Sequence, residues 1–492
     1  MKKEDLFEVL EDLDPEEVQK ARSIQRKKIQ WVRWGSLAAC TALLVAAVIL
    51  IPKWAAPKPG STETEKEESS RPRPEIPSEI ITVSAVYPEP VAKGASLDAF
   101  YESEDHWNWW TTCREKADIS SAFQTQMHPF YQKLMEQMLV SENDNAVCSP
   151  LNIYIAFSML AETTDGNSRA QILDFLSVSD MDTLRNRITA LWESNYADTP
   201  ALKCLLANSL WLRNGVVFNE DTLGRLADRY YASSYRGNPG TPELDEALQQ
   251  WTDQNTAGLL SEYVKDLHLT NDTVMALIST IYYKAAWQDI FLENNTKDEI
   301  FHGTQGDQTV PMMHRTDMMS VYRSDRFTSL GLHLEDSGSM FFVLPDEGTN
   351  VNDLLSDPDL LNATHYEEND HWSFPLVNLA VPKFNVSKNT DLREILPSLG
   401  ITDVLDDTLA DFTPLTTDDS LDPLFLSQAQ HAAMVEIDET GVTGAAYTEL
   451  ALAEGAAIPE DEIDFVLDRP FLFMVTGLDG SILFAGIIRN IP

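Results

Sequence analysis

The chain has 492 residues, with 78 acidic against 36 basic side chains and a formal charge of −42, a balance that excludes nucleic-acid binding through clustered Lys and Arg. Its 43% hydrophobic content allows a large buried core. The four cysteines, Cys40, Cys113, Cys148 and Cys204, and the nine histidines show no Cys-x-x-Cys or His-x-x-x-His spacing, so no disulfide framework, metal or cofactor is expected.

The first expected element is a short amphipathic helix with Leu6, Phe7, Leu10 and Leu13 at helical spacing. A basic run follows, Lys20, Arg22, Arg26, Lys27, Lys28 and Arg33, with no acid among them. Leu37 to Ile51 is apolar apart from Thr41, and it lacks the polar face that a core helix carries. With Trp34, Gly35 and Ser36 it approaches the length of a bilayer span. Residues 34–51 are therefore read as a single transmembrane anchor. Positive charge precedes the span, so residues 1–33 are expected in the cytoplasm and the rest outside it. Leu37-Ala38-Ala39-Cys40 has the composition of a lipoprotein cleavage box, yet it precedes the apolar stretch instead of closing it. The long segment ahead of the span fits an uncleaved anchor better than a signal peptide. Residues 52–90 are rich in Pro, Glu, Ser and Thr and read as a stalk with too little apolar surface to fold. Residues 91–118, with Trp107, Trp109 and Trp110 among acids, form an unassigned extension. Residues 119–492 alternate helical and strand patterns without a long linker, as one domain.

Within that domain Phe123 to Val140 and Leu151 to Ala161 read as helices, the second following Ser149-Pro150, because proline suits a first helical turn. Ala201 to Leu212 and Val274 to Tyr283 are apolar, β-branched or aromatic and suit buried strands, whereas Glu243 to Ser261 looks helical. Met340 to Leu344, Leu376 to Phe384, Leu424 to Leu426, Ala432 to Ile437, Phe471 to Thr476 and Ile482 to Ile488 read as strands. Helices come early and strands late, an α+β arrangement.

No Gly-x-Ser-x-Gly, His-Glu-x-x-His, P-loop or dinucleotide fingerprint is present, so the chain is not expected to be an enzyme. Asp336-Ser337-Gly338 is a polar turn before a strand. The informative segment runs from Glu439 to Ile458. Small residues dominate it, and no Lys or Arg occurs between His431 and Arg469. Taken alone it is a flexible linker. Strand candidates hold both of its ends, however, which makes it a tethered loop of the kind that carries function. Read with period two, it puts Val442, Gly444, Ala446 and Thr448 on one small face, and Thr443, Ala445, Tyr447 and Glu449 on the other. Such a face can enter an existing sheet without overpacking it.

Several motifs, in order, resemble those of the serpin superfamily, and the resemblance spans Ile119 to Pro492. They are Asn145-Ala146-Val147-Cys148-Ser149-Pro150-Leu151-Asn152-Ile153, Thr280-Ile281-Tyr282-Tyr283-Lys284 with Trp287, Val310-Pro311-Met312-Met313, Val381-Pro382-Lys383-Phe384, Leu399-Gly400-Ile401 and Arg469-Pro470-Phe471. The resemblance implies helices packed around a large central β-sheet, further sheets and an exposed reactive-centre loop. It also implies a suicide-substrate mechanism, in which a serine protease cuts the loop and stays acylated while the loop inserts into the sheet. About 15 residues at 3.3 Å would carry the protease roughly 50 Å.

By position, the resemblance makes Glu439, Gly441, Val442, Thr443, Gly444, Ala445, Ala446 and Thr448 the loop hinge. Lys383 would pair with Glu439 beside Trp287 at the breach, where insertion starts. Ser149, Asn152, Ser279 and His431 would form the shutter, with Asn152 where the family usually has serine and Ser279 where it usually has asparagine. Those two are either exchanged hydrogen-bonding partners or unrelated substitutions. Val442 stands where inhibitory members carry threonine or serine, and Tyr447 interrupts the usual small residues. These departures keep a non-inhibitory binding or chaperone-like serpin as the alternative to an inhibitor. The family's spacing puts the reactive bond between Gly455 and Ala456, with extra residues in Pro459-Glu460-Asp461-Glu462. A loop without a cation favours elastase-like or subtilisin-like proteases over trypsin-like ones.

Overall fold

The computed structural model describes residues 76–365, 370–418, 420–442 and 461–491, apart from the side chain of Glu262. The expected cytoplasmic segment, anchor and most of the stalk lie outside these residues. Among the described residues no helix is long and apolar enough to cross a membrane.

The helices gather in the first half of the fold: α1 (Leu97–Tyr101), α2 (Glu104–Ser121), α3 (Gln124–Met138), α4 (Pro150–Thr163), α5 (Gly166–Phe175), α6 (Met181–Asn195), α7 (Glu220–Tyr230), α8 (Pro242–Asn255) and the single turn α9 (Ser261–Val264). Ser149 caps α4 by accepting the Asn152 N–H, and Pro150 fills its first turn, where the missing donor costs nothing. Nearly every α4 side chain is buried, as its continuous apolar run requires. The expected helix from Glu243 to Ser261 is interrupted because Ala257 and Gly258 take positive φ after Asn255.

Among the described residues the strands form three sheets. The largest contains β1 (Ile81–Val83), β3 (Ala197–Asp198), β4 (Leu202–Arg213), β5 (Ala232–Gly237), β6 (Met275–Ala286), β14 (Phe384–Asp391), β15 (Gln430–Ile437) and β16 (Gly441–Val442). Its order is β1-β5-β4-β6-β16-β15-β14, with β3 paired on β4. A second sheet runs β12 (Trp372–Ser373), β9 (Val321–Arg323), β10 (Phe327–His333), β11 (Ser339–Pro345), β18 (Phe471–Thr476), β19 (Ile482–Ile488) and β2 (Ala146–Cys148). The third runs β17 (Glu462–Val466), β13 (Leu376–Pro382), β8 (Gly306–Met318) and β7 (Lys297–Gly303). One apolar core joins α3, α4 and the strands of all three sheets.

Three expectations need correction. The run Leu376 to Phe384 is two strands in two different sheets: Leu376 to Pro382 pairs with β8, and from Phe384 the chain pairs with β15. Leu424 to Leu426 is not a strand: among the described residues no strand pairs with it, and Leu426 N–H bonds Val404 O outside any ladder. The fold also begins earlier than residue 119. Ile81 and Val83 pair with β5, Tyr87 packs on Trp192 and Tyr231, and Phe100, Cys113, Ala117 and Ser120 are buried. The tail of the expected stalk and a few residues of the extension thus pack on the domain, which their polar composition concealed.

Candidate functional site

The residues around Glu439 meet where the large sheet approaches the third. The switch from β13 to β14 leaves Lys383 at that junction, with its own N–H bonded to Pro311 O at 3.0 Å. Its Nζ lies 2.6 Å from Glu439 Oε2, and Thr296 Oγ1 donates to Glu439 Oε1 at 2.7 Å. Burial alone would raise the Glu439 carboxyl, but the bonds from Lys383 and Thr296 outweigh it and hold the group below its usual range. Trp287, nearly fully buried, donates from Nε1 to Asp438 O and from its backbone N–H to Thr440 O, both at 2.9 Å. Phe291 N–H donates to Glu439 O at 2.9 Å. The turn is closed by Asp438 Oδ1, which accepts from Thr440 N–H and Oγ1 and from Gly441 N–H.

That turn delivers two residues into the sheet. Gly441 and Val442 pair with Ala286 and Ala285 of β6, and Val442 also pairs with Ile437 of β15. A Cβ on Gly441 would fall 2.2 Å from Ala285 O, so the approach requires glycine there. Val442 is 1% exposed. Among the described residues β6 and β15 share no pairing of their own. Further along them lies a cavity of about 650 Å³, walled by Met275, Leu277 and Ile281 of β6 and by Gln430 and Ala432 of β15. Thr443, Gly444, Ala445, Ala446, Thr448, Gly455 and Ala456 lie outside the described residues. Beyond them Glu462 enters the third sheet, pairing in parallel with Leu376.

At the other end of β15, His431 Nε2 accepts the Ser149 N–H at 3.0 Å, and Ser149 Oγ donates to Leu483 O at 2.6 Å. Burial pushes His431 down to about 4. Asn152 contributes its backbone N–H to Ser149 Oγ at 3.4 Å. Ser279 does not join this cluster. It stands on β6 opposite Asn208, lines the cavity, and its buried Oγ has no hydrogen-bond partner among the described residues. Ser279 Oγ therefore makes no hydrogen bond to Asn152.

Sequence reasoning missed Thr296 and Asp438. Asp438-Glu439-Thr440 carries the signature of a side-chain-closed turn. Nothing local marks Thr296, which reaches Glu439 from 143 positions away.

With this geometry in view, comparison with known proteins is direct. The family model described as Serpin (serine protease inhibitor) matches residues 125–491, and the chain belongs to the serpin family. The chain is 31% identical over 365 residues to the plasma serine protease inhibitor of Mus musculus, covering 72% of this chain and 87% of that protein. It is 29% identical over 363 residues to Serpin-ZX of Arabidopsis thaliana, covering 70% and 92%. Native tengpin, a thermophilic serpin, has a TM-score of 0.66 at 22% identity, over 74% of this chain and 93% of its own. The thyroxine-binding globulin complex with thyroxine has a TM-score of 0.63 at 23% identity, over 76% and 99%. The fold is the serpin fold, with helices packed against large β-sheets. Serpins are protease inhibitors in general and typically not enzymes.

Proposed function

We propose that this chain is a membrane-tethered, extracytoplasmic suicide-substrate inhibitor of serine proteases. Residues 34–51 are the anchor and residues 1–33 face the cytoplasm. A target protease cuts the loop between Gly455 and Ala456, remains as the acyl-enzyme, and is carried away as Thr443 and its successors follow Val442 between β6 and β15. The observation that carries this reading is the hinge: Gly441 and Val442 stand between two strands that share no other pairing with each other among the described residues, with a cavity beyond them. Small and aliphatic residues around the bond favour elastase-like or subtilisin-like targets.

The test incubates the full chain with elastase-like, subtilisin-like and trypsin-like proteases. A denaturant-resistant complex with the first two, and a C-terminal fragment beginning at Ala456 by mass spectrometry, are expected. Cleavage of every loop without a complex would favour the alternative, a non-inhibitory binding module, to which Val442 at the hinge lends support. Protease added to intact cells should remove the domain, and its survival until lysis would reverse the orientation.

A further inference from the structure

Residues 76–121 lie ahead of the family match, which starts at residue 125, yet contacts connect them to the point where the hinge enters the sheet. His106, in the first turn of α2, presents Nε2 to Asp336 Oδ1 at 3.1 Å, and the Asp336 side chain is 7% exposed. Phe100 and Tyr101 hold the imidazole edge-on, with ring centroids 4.9 and 4.8 Å away. The Tyr101 phenol faces the carboxylates of Asp336 and Glu335.

Asp336 belongs to the turn between β10 and β11 and takes a φ of 55°, a left-handed conformation that a side-chain-bearing residue keeps only when its surroundings hold it. Three contacts run from this turn to β6 and its end. Glu335 N–H donates to Ala286 O at 2.9 Å, Leu334 bridges to Trp287, and Ser337 Oγ is hydrogen-bonded to the Tyr283 hydroxyl at 2.9 Å. Ala286 and Trp287 are the residues that receive Gly441 and Thr440. Every link from α2 to the hinge is thus a direct contact: His106, Asp336, the turn, Ala286 and Gly441.

We infer that His106, backed by Tyr101, is a positioning residue for the reactive loop: through Asp336 it fixes the turn at 334–338 and so holds the end of β6 in the register that receives the hinge. The extension is then a working part of the inhibitor. The effect on trapping rests on the proposed inhibitory function, whereas the effect on β6 does not.

The experiment is hydrogen–deuterium exchange on the full chain in detergent, followed by peptides covering 283–290 and 438–442. In His106→Ala the amides of Trp287 and Gly441 should exchange at least tenfold faster, while Met275 to Thr280 of β6 are unchanged. His106→Gln, which keeps a nitrogen donor near the place of Nε2, should restore slow exchange. Asp336→Gly, which removes the carboxylate without straining the backbone, should loosen the same amides and serves if His106→Ala does not fold. Against a trapped protease, His106→Ala should consume several-fold more inhibitor per complex at an unchanged rate of cleavage. Exchange at Trp287 and Gly441 equal to wild type, or a rise spread over the whole domain, would overturn the inference. If the wild type traps no protease while His106→Ala still loosens those two amides, the inhibitory reading fails and the positioning role stands.

Discussion

Replacing Val442 with arginine tests whether the paired hinge is the start of insertion. Val442 is 1% exposed between Ala285 and Ile437. Losing its apolar burial costs about 1.5 kcal/mol, and bringing an unpaired guanidinium into the same place costs several kcal/mol more. Even if the long side chain carries its charge part of the way to solvent, a net penalty of about 3 kcal/mol shifts hinge occupancy roughly a hundredfold toward the expelled state. The proposed bond at Gly455–Ala456 is well downstream, so an elastase-like protease should still cut the loop at a similar rate. The assay is the ratio of denaturant-resistant complex to cleaved inhibitor on a gel, with Val442→Thr as the mild control. Val442→Arg should be cleaved without trapping, and Val442→Thr should trap at least as well as wild type. A complex yield for Val442→Arg within twofold of wild type would refute the insertion argument.

Gly441→Ala places a Cβ 2.2 Å from Ala285 O, so the hinge should leave the sheet at a cost of about 1–3 kcal/mol, read as faster amide exchange at Val442. Unchanged exchange there would mean that the backbone absorbs the clash. Lys383→Ala removes the cation from Glu439 while Thr296 remains. Because Lys383 is 35% exposed, the expected loss is only about 1 kcal/mol, and the Glu439 carboxyl should titrate higher by NMR; an unmoved titration would contradict the pairing. His431 binds its proton more weakly folded, at about 4, than unfolded, near 6.5. Its contribution is therefore complete above pH 6.5 and lost as pH falls toward 4, by about 3 kcal/mol. His431→Gln should flatten that limb of urea denaturation against pH, and an unchanged slope would remove His431 as its source.

How much of this could be read from the chain differs by residue. Lys383, Trp287 and Glu439 sit in ordered motifs, so their meeting was legible before any contact was known. The switch of sheets that makes it possible was not legible, because Leu376 to Phe384 reads as one continuous strand. The small face of Val442, Gly444, Ala446 and Thr448 follows from strand period alone, and beyond Val442 it lies outside the described residues. Thr296 was not legible, since one threonine bonding a carboxylate 143 positions away leaves no local trace. Neither was the lack of a hydrogen-bond partner for Ser279 Oγ among the described residues, which nothing in its motif foretells. The extension misled for a different reason: its acids face solvent while a few residues, Phe100 and Ala117 among them, make the contacts, so averaged composition reports the exposed side.

The unfilled edge between β6 and β15 would supply the driving force that the proposed mechanism needs. β6 has twelve residues and meets only the two of β16 on its inner edge among the described residues. A loop strand following Val442 would add roughly ten ladder hydrogen bonds at about 1 kcal/mol each. It would also cover the apolar walls formed by Met275, Leu277 and Ile281. In the proposed mechanism the far end of the loop is held before cleavage where Glu462 pairs with Leu376 in the third sheet. In that mechanism, cutting between the two attachments would free the hinge side alone, so the gain would be released only once a protease has acylated. The placement of Gly441 and Val442 at the mouth of the slot then matters for timing. Insertion that has already begun need only propagate, and propagation must outrun hydrolysis of the acyl bond. In the proposed mechanism a hinge held at Ala285 and Ala286 would favour trapping over turnover, and its anchors at Lys383, Trp287 and, through the turn at Asp336, His106 would bear on inhibition without touching the protease.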